Sequence, residues 1–195
     1  MKRIWIAVLL AACLGLTGCG QSAPETAADG QSWDEDWVTI GNVLGVDTPD
    51  GLTLRDNSDA LEAKGMYYAA WSAGEAAPFV DGDGETLTVY DGQVSLLLAG
   101  YDTTQKAADS AGEWLAMALE RYRVEETWEE ERNGQSFTLL TCAYPSETGP
   151  YAQGAAAFGV YGNYALSVEL SCQEDFDGSP LEILRTFLDN CHYAA

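Results

Sequence analysis

Val124-Glu-Glu-Thr-Trp-Glu-Glu-Glu-Arg132-Asn133-Gly134-Gln135-Ser-Phe-Thr-Leu-Leu-Thr-Cys-Ala-Tyr144 decides how the rest of this 195-residue chain is read. Asn-Gly suits a two-residue turn in which both residues take positive φ, and its own twist matches that of the strands it joins. Residues 124–132 and 135–144 are therefore expected to pair as an antiparallel hairpin. The same signature recurs downstream, where 153–161 and 164–172 flank Gly162-Asn163 and alternate as strands. Two consecutive hairpins make a meander, and a meander fixes the sheet as mostly antiparallel.

Upstream, 39–46 and 51–54 are short strand candidates on either side of the turn Thr48-Pro49-Asp50-Gly51, and 66–72 alternates as a strand. Residues 59–64 read as one helical turn. Residues 74–85 read as a loop carrying Pro78. The runs 86–90 and 93–99 read as one long strand with an irregularity at Asp91-Gly92. A helix follows, with Asp102 as N-cap, Gln105 at capping distance, and Ala107, Ala111, Trp114, Leu115, Ala118, Leu119 and Tyr122 along one side. A second helix opens at Ser179-Pro180-Leu181-Glu182, a capping box with proline in the first turn, and turns Leu181, Leu184, Leu188 and Cys191 to one face. Taken together, 37–195 is expected to be a single α+β domain, a mostly antiparallel sheet covered by two main amphipathic helices.

The order of strand pair, long helix, meander and terminal helix over residues 51–193 resembles the PsbP-like fold. That resemblance implies a small extracytoplasmic domain that acts in binding or assembly, and it assigns no functional residue here. At the other end, Met1-Lys2-Arg3 precedes a short apolar run that closes on Leu16-Thr17-Gly18-Cys19. A charged start and an apolar run too short to span a bilayer mark a signal peptide. The four closing residues resemble the lipobox of bacterial lipoproteins, which implies acylation of the Cys19 thiol and cleavage just before it. On this reading 1–18 is the signal and 19–36 is a lipidated, acidic, flexible tether. Two acyl chains give a stable membrane anchor where one gives only marginal binding.

The chain carries 31 acidic against 9 basic residues, a formal charge of −22. Loss of Lys2 and Arg3 with the signal leaves seven bases against the same 31 acids, or −24. Phosphate backbones and anionic headgroups are repelled by such a surface, so nucleic acid is excluded as a partner, while a cationic or cell-envelope partner remains compatible. A hydrophobic share of 47% supplies a core and argues against disorder. Beyond Cys13 and Cys19, the cysteines Cys142, Cys172 and Cys191 remain, either as three buried thiols or as one bridge and one thiol.

No spacing in the chain matches a catalytic or cofactor motif. The one histidine, His192, adjoins Cys191, and neighbours on a helix point about 100° apart, so the two do not form a nucleophile pair. Asp81, Asp83 and Glu85 alternate with glycine in a way that suits a hard cation, yet Thr86 and Gly92 occupy the places where an EF-hand needs Gly and Glu. The glutamates among 125–131 suit a protected edge strand. Trp128, Tyr144, Tyr151, Tyr161 and Tyr164 flank the meander and are candidates to line a ligand groove. The expected function is that of a membrane-anchored, non-enzymatic binding or assembly module without a cofactor. The alternatives are a hydrolase working through carboxylates such as Asp81 and Glu85, and a ligand-free spacer. The anchor has a direct check: Cys19→Ala is expected to abolish metabolic labelling by a lipid precursor and to release the chain from the membrane fraction, and a variant that is still labelled contradicts the lipobox.

Overall fold

The computed structural model describes residues 33–58, 65–145 and 149–194. The signal, Cys19, most of the tether and the helical turn expected at 59–64 lie outside the described residues. Among the described residues ten strands and two helices follow one another: β1 (Val38–Ile40), β2 (Leu44–Val46), β3 (Leu52–Ser58), β4 (Met66–Val80), β5 (Thr86–Gly100), α1 (Thr104–Arg121), β6 (Arg123–Arg132), β7 (Gln135–Ala143), β8 (Gln153–Tyr161), β9 (Tyr164–Cys172), α2 (Pro180–Asp189) and β10 (Cys191–Tyr193). Seven strands form an antiparallel sheet in the order β3-β4-β5-β9-β8-β7-β6, and β1-β2-β10 form a small second sheet. Both meander hairpins form as expected, and Asn133 and Gly134 take φ of 44° and 75°.

The expected covering of the sheet by two helices is overturned. Strands take 54% of the described residues and helices 18%, too little helix to roof the sheet. Strands lie about 4.8 Å apart, so seven span about 29 Å, whereas one helix with its side chains is about 10–12 Å wide. On one face α2 packs on β8 and β9, and the small sheet extends the cover with Ile40, Val43, Leu44 and Val46. Trp71, Leu96, Leu139, Val168, Leu170 and Phe187 are fully buried there, with the Phe187 ring edge-on to Trp71 at 4.8 Å. On the opposite face α1 also packs chiefly on β8 and β9, and its Ala107, Ala111, Trp114 and Ala118 meet Leu97, Ala99, Leu140, Ala156, Phe158 and Ala165. Among the described residues nothing extends that cover towards β4 in the way the small sheet does on the first face.

Local differences from the sequence reading have local causes. The α1 N-cap is Thr103, whose hydroxyl accepts from Lys106 N–H at 3.3 Å, while Asp102 pairs with the Lys106 ammonium at 2.8 Å. The expected loop at 74–85 is mostly strand, because β4 continues through a bulge between Ala73 and Ala76, and only 81–85 turn. Gly74, at φ 74°, and the Asp91 carboxylate, which accepts from Glu75 N–H at 2.9 Å, shape that bulge. Pro78 is tolerated because β3 stops pairing at Ala73, so among the described residues no strand faces Pro78 on that side. Residues 39–46 are a hairpin rather than one strand, turned by Gly41 and Asn42 at φ 58° and 53°. The last helix ends at Asp189, and Cys191 leaves it to pair with Val46. Cys142, Cys172 and Cys191 are three free buried thiols.

The acidic strand β6 is an edge strand of the large sheet, as its glutamates suggest. Glu130 departs from that role by accepting from Arg185 of α2 at 2.7 Å and from Trp128 Nε1 at 2.9 Å, with Arg132 as a further partner. The Arg185 guanidinium, aided by Trp128 and Arg132, holds its carboxyl at about 2. A depressed carboxyl stabilises the fold above its unfolded value of 4.5 and ceases to do so as the pH falls towards 2. Glu130→Gln is accordingly expected to cost about 2 kcal/mol at neutral pH. That difference from the parent should vanish on acidification through this window, measured by urea denaturation at several pH values.

Candidate functional site

The uncovered part of the α1 face is polar, and its polarity is written into strand register. On β9 the side chains at Leu166, Val168, Leu170 and Cys172 enter the core on the α2 side, so Ser167, Glu169 and Ser171 point to the other. The ladder sets Glu169 opposite Ser95 of β5 and Ser95 opposite Ala70 of β4. One rank further along, Ser171, Gln93 and Ser72 stand in line. A polar patch thus crosses the middle of the sheet beside the apolar floor that α1 covers.

Glu169 is its centre. Tyr122, at the C-terminal end of α1, donates to Glu169 Oε1 at 2.9 Å, and Tyr144, just beyond β7, donates to the same oxygen at 2.8 Å. The two rings meet edge to face at 4.8 Å, and the Tyr144 hydroxyl also lies 2.9 Å from Ser171 Oγ. Burial pushes the Glu169 carboxyl above its ordinary value, against the lowering effect of these hydroxyls and of Arg121. Burial, with the Glu169 charge next in weight, likewise raises both tyrosines and pushes the Cys142 thiol beside them up to about 12.

The patch continues across β5 and β4. Gln93 donates to Ser95 Oγ at 3.2 Å and accepts from Tyr151 at 3.3 Å, and the Tyr68 hydroxyl lies 3.4 Å from Ser95 Oγ. Arg55 donates to Ser72 at 2.7 Å while its guanidinium sits 4.6 Å above the Tyr90 ring. Tyr68, Tyr90, Gln93, Ser95, Tyr122, Tyr144, Tyr151 and Glu169 are each partly exposed.

The structure divides the sequence-predicted site residues. Tyr144 and Tyr151 come together on this patch. Trp128, Tyr161 and Tyr164 pack against the opposite core, Trp128 on Glu130 and Tyr161 with its ring 4.8 Å from Tyr193. Asp81, Asp83 and Glu85 lie on the β4–β5 turn, where Asp81 Oδ1 accepts from the N–H groups of Asp83 and Glu85 at 3.0 and 2.8 Å. Among the described residues no group of three or more His, Cys, Asp or Glu side chains is placed to hold a metal ion. His192 is on β10 and stacks on Trp37 at 4.0 Å, on the far side from Glu169. An open cleft of about 460 Å³ lies between the Pro49–Leu52 turn, the β4 bulge and the start of α2. Of its polar groups, Ser179 caps α2, Asp91 holds the bulge and Glu182 pairs with Arg185. Glu169, Gln93 and Ser95 escaped the sequence reading. The signal that marks them is alternation in strands central to the sheet, since a central strand covered on both faces reads as apolar throughout.

In overall shape the chain is similar to the solution structure of cyanobacterial PsbP (CyanoP) from Synechocystis sp. PCC 6803, at 14% identity and a TM-score of 0.47, over 92% of this chain and 99% of that one. It is also similar to a crystal structure from Bacteroides thetaiotaomicron VPI-5482, at 7% identity and a TM-score of 0.39, over 80% of this chain and 46% of that one. No family model matches the chain, and no curated protein matches it in sequence.

The patch depends on a glycine. A Cβ on Gly154 of β8 would lie 2.5 Å from the Leu170 carbonyl oxygen and 2.6 Å from the Tyr144 hydroxyl, so Tyr144 reaches Glu169 only because it lies over a bare strand. Gly154→Ala is expected to destabilise the domain by about 1–3 kcal/mol. It should also return one tyrosine to ordinary ionisation near pH 10, seen by ultraviolet titration of the folded variant against the parent.

Proposed function

We propose that this chain is a membrane-anchored extracytoplasmic lipoprotein, held by lipid on Cys19, whose domain is a non-catalytic binding module using the patch around Glu169. The observation that carries the binding part is the convergence of Tyr122 and Tyr144 on one partly buried carboxylate at the centre of a large sheet. A carboxylate in that position raises the free energy of the fold, and groups kept at such a cost cluster at functional sites. The anchoring part is supported by Leu16-Thr17-Gly18-Cys19 and by the polar segment that follows it.

The non-catalytic part is supported by what surrounds Glu169. Asp56, the carboxylate that shares its rank, stands three strands away through Ala70 and Ser95, about 14 Å along the ladder. That exceeds the roughly 5–9.5 Å between paired carboxylates in glycoside hydrolysis. Asp81 and Glu85, proposed from sequence as a pair, sit on one exposed turn joined through the Glu85 amide instead of facing each other across a cavity. Cys142, the thiol nearest Glu169, is held protonated by burial, the opposite of what a nucleophile needs.

A carboxyl whose folded value is raised destabilises the fold above that value, and the effect disappears below the unfolded value of 4.5, where both states are protonated. Glu169→Gln keeps an oxygen for the tyrosine hydroxyls and removes the charge. It is expected to be more stable than the parent near pH 8, with the two converging as the pH falls towards 4.5, by denaturant unfolding at each pH. If the variant unfolds more readily than the parent near pH 8, Glu169 is a structural strut and the binding role is lost.

A further inference from the structure

Resting on that binding role, we infer that the patch takes a short neutral oligosaccharide laid across the strands. Charge selects the class. An anionic ligand would meet Glu169 and Asp56 on a chain of formal charge −22. A cationic ligand would meet Arg55, over Tyr90 at one end of the patch, and Arg121, whose charge already acts on Glu169 at the other. Around Glu169, between those ends, stand uncharged hydroxyls and amides: Tyr68, Gln93, Ser95, Tyr144, Tyr151 and Ser171. Such groups donate and accept at once, as the hydroxyls of a sugar do.

Shape selects within the class. From Arg55 on β3 to Glu169 on β9 the patch crosses four neighbouring strands in the order β3, β4, β5 and β9, and Tyr144 bounds it where its ring lies over β8. Four strands span about 14 Å from first to last, more than one sugar ring fills. An extended peptide is recognised chiefly by main-chain hydrogen bonds at a sheet edge, whereas this patch is a sheet face and offers side chains only. The tyrosine rings provide apolar planes for the C–H faces of a sugar. Glu169, its Oε1 fixed by two phenols, is a strong acceptor on the floor and would hold a pair of ligand hydroxyls.

The test titrates the full-length chain in detergent, by calorimetry, with hexamers of β-1,4-linked N-acetylglucosamine, β-1,4-glucan and α-1,4-glucan. Glucose, N-acetylglucosamine, spermidine and an uncharged glycine-serine peptide are titrated in parallel. At least one hexamer is expected to bind, with its monosaccharide at least tenfold weaker. Gln93→Ala and Tyr68→Phe should each weaken the hexamer about tenfold or more, while Tyr161→Phe, on the opposite core, leaves it unchanged. Circular dichroism of each variant separates lost binding from lost folding. No hexamer binding at millimolar concentration overturns the inference, and so does hexamer binding indifferent to Gln93 and Tyr68. Spermidine or peptide binding that those two variants abolish overturns the saccharide and leaves the binding face standing. The Glu169→Gln stability test reads the binding role itself, whichever ligand the panel selects.

Discussion

The width of the large sheet against the width of a helix is the constraint from which the rest of the structure follows. Seven strands about 4.8 Å apart cannot be roofed by one helix of about 10–12 Å on each face. On the α2 side the deficit is met by the small sheet, which brings Ile40, Val43, Leu44 and Val46 over the region that α2 leaves open. On the α1 side no second layer is recruited among the described residues, and the sequence matches that shortfall by making the open ranks polar. β9 shows this in one strand, with Leu166, Val168 and Leu170 on the roofed face and Ser167, Glu169 and Ser171 on the other.

Polarity alone would leave a solvated surface of independent side chains. Here the groups are tied to one another. Three sets of bonds occupy two neighbouring ranks: Arg55 with Ser72 in one, and Tyr68 and Gln93 with Ser95, and Tyr122 and Tyr144 with Glu169, in the other. Tying fixes rotamers, and a fixed array of donors and acceptors loses less entropy on meeting a ligand than a mobile one does. The cost falls on Glu169, since two phenols and nearby Arg121 do not fully offset what burial takes from its charge. Gly154 shows the same trade in the backbone, because a strand position gives up its side chain so that Tyr144 can lie over it.

Those parts of the fold set by short-range chemistry were legible in the sequence. Asn133-Gly134 and Gly162-Asn163 each turn a hairpin whose register carries four strands of the sheet, and Ser179-Pro180 opens a helix where the capping pattern places it. What was hidden depends on partners distant in sequence. The distal half of β4, rich in alanine and carrying Pro78, has little strand propensity of its own and forms only because β5 runs alongside. Cys191 continues the apolar spacing of α2, yet β2 draws the chain out of the helix at Asn190. The tyrosines of the meander looked alike as candidates, and only alternation along each strand assigns Tyr144 to one face and Tyr161 to the other. Glu169 was invisible as a motif because its partners come from α1 and β7, 47 and 25 residues away.

The small sheet also fixes which way the patch looks. β1 and β10 flank β2, so the described start of the chain and its C-terminal strand are joined in one three-stranded unit. Trp37 stacks on His192 at 4.0 Å, and Gly45 leaves room for both Trp33 and Trp37 against β2. A clasp of this kind immobilises the point at which the chain enters the domain, and that point lies on the α2 side of the large sheet. The Glu169 patch lies on the other side, across the full thickness of the sheet. The patch is therefore turned away from the point at which the described chain enters the domain.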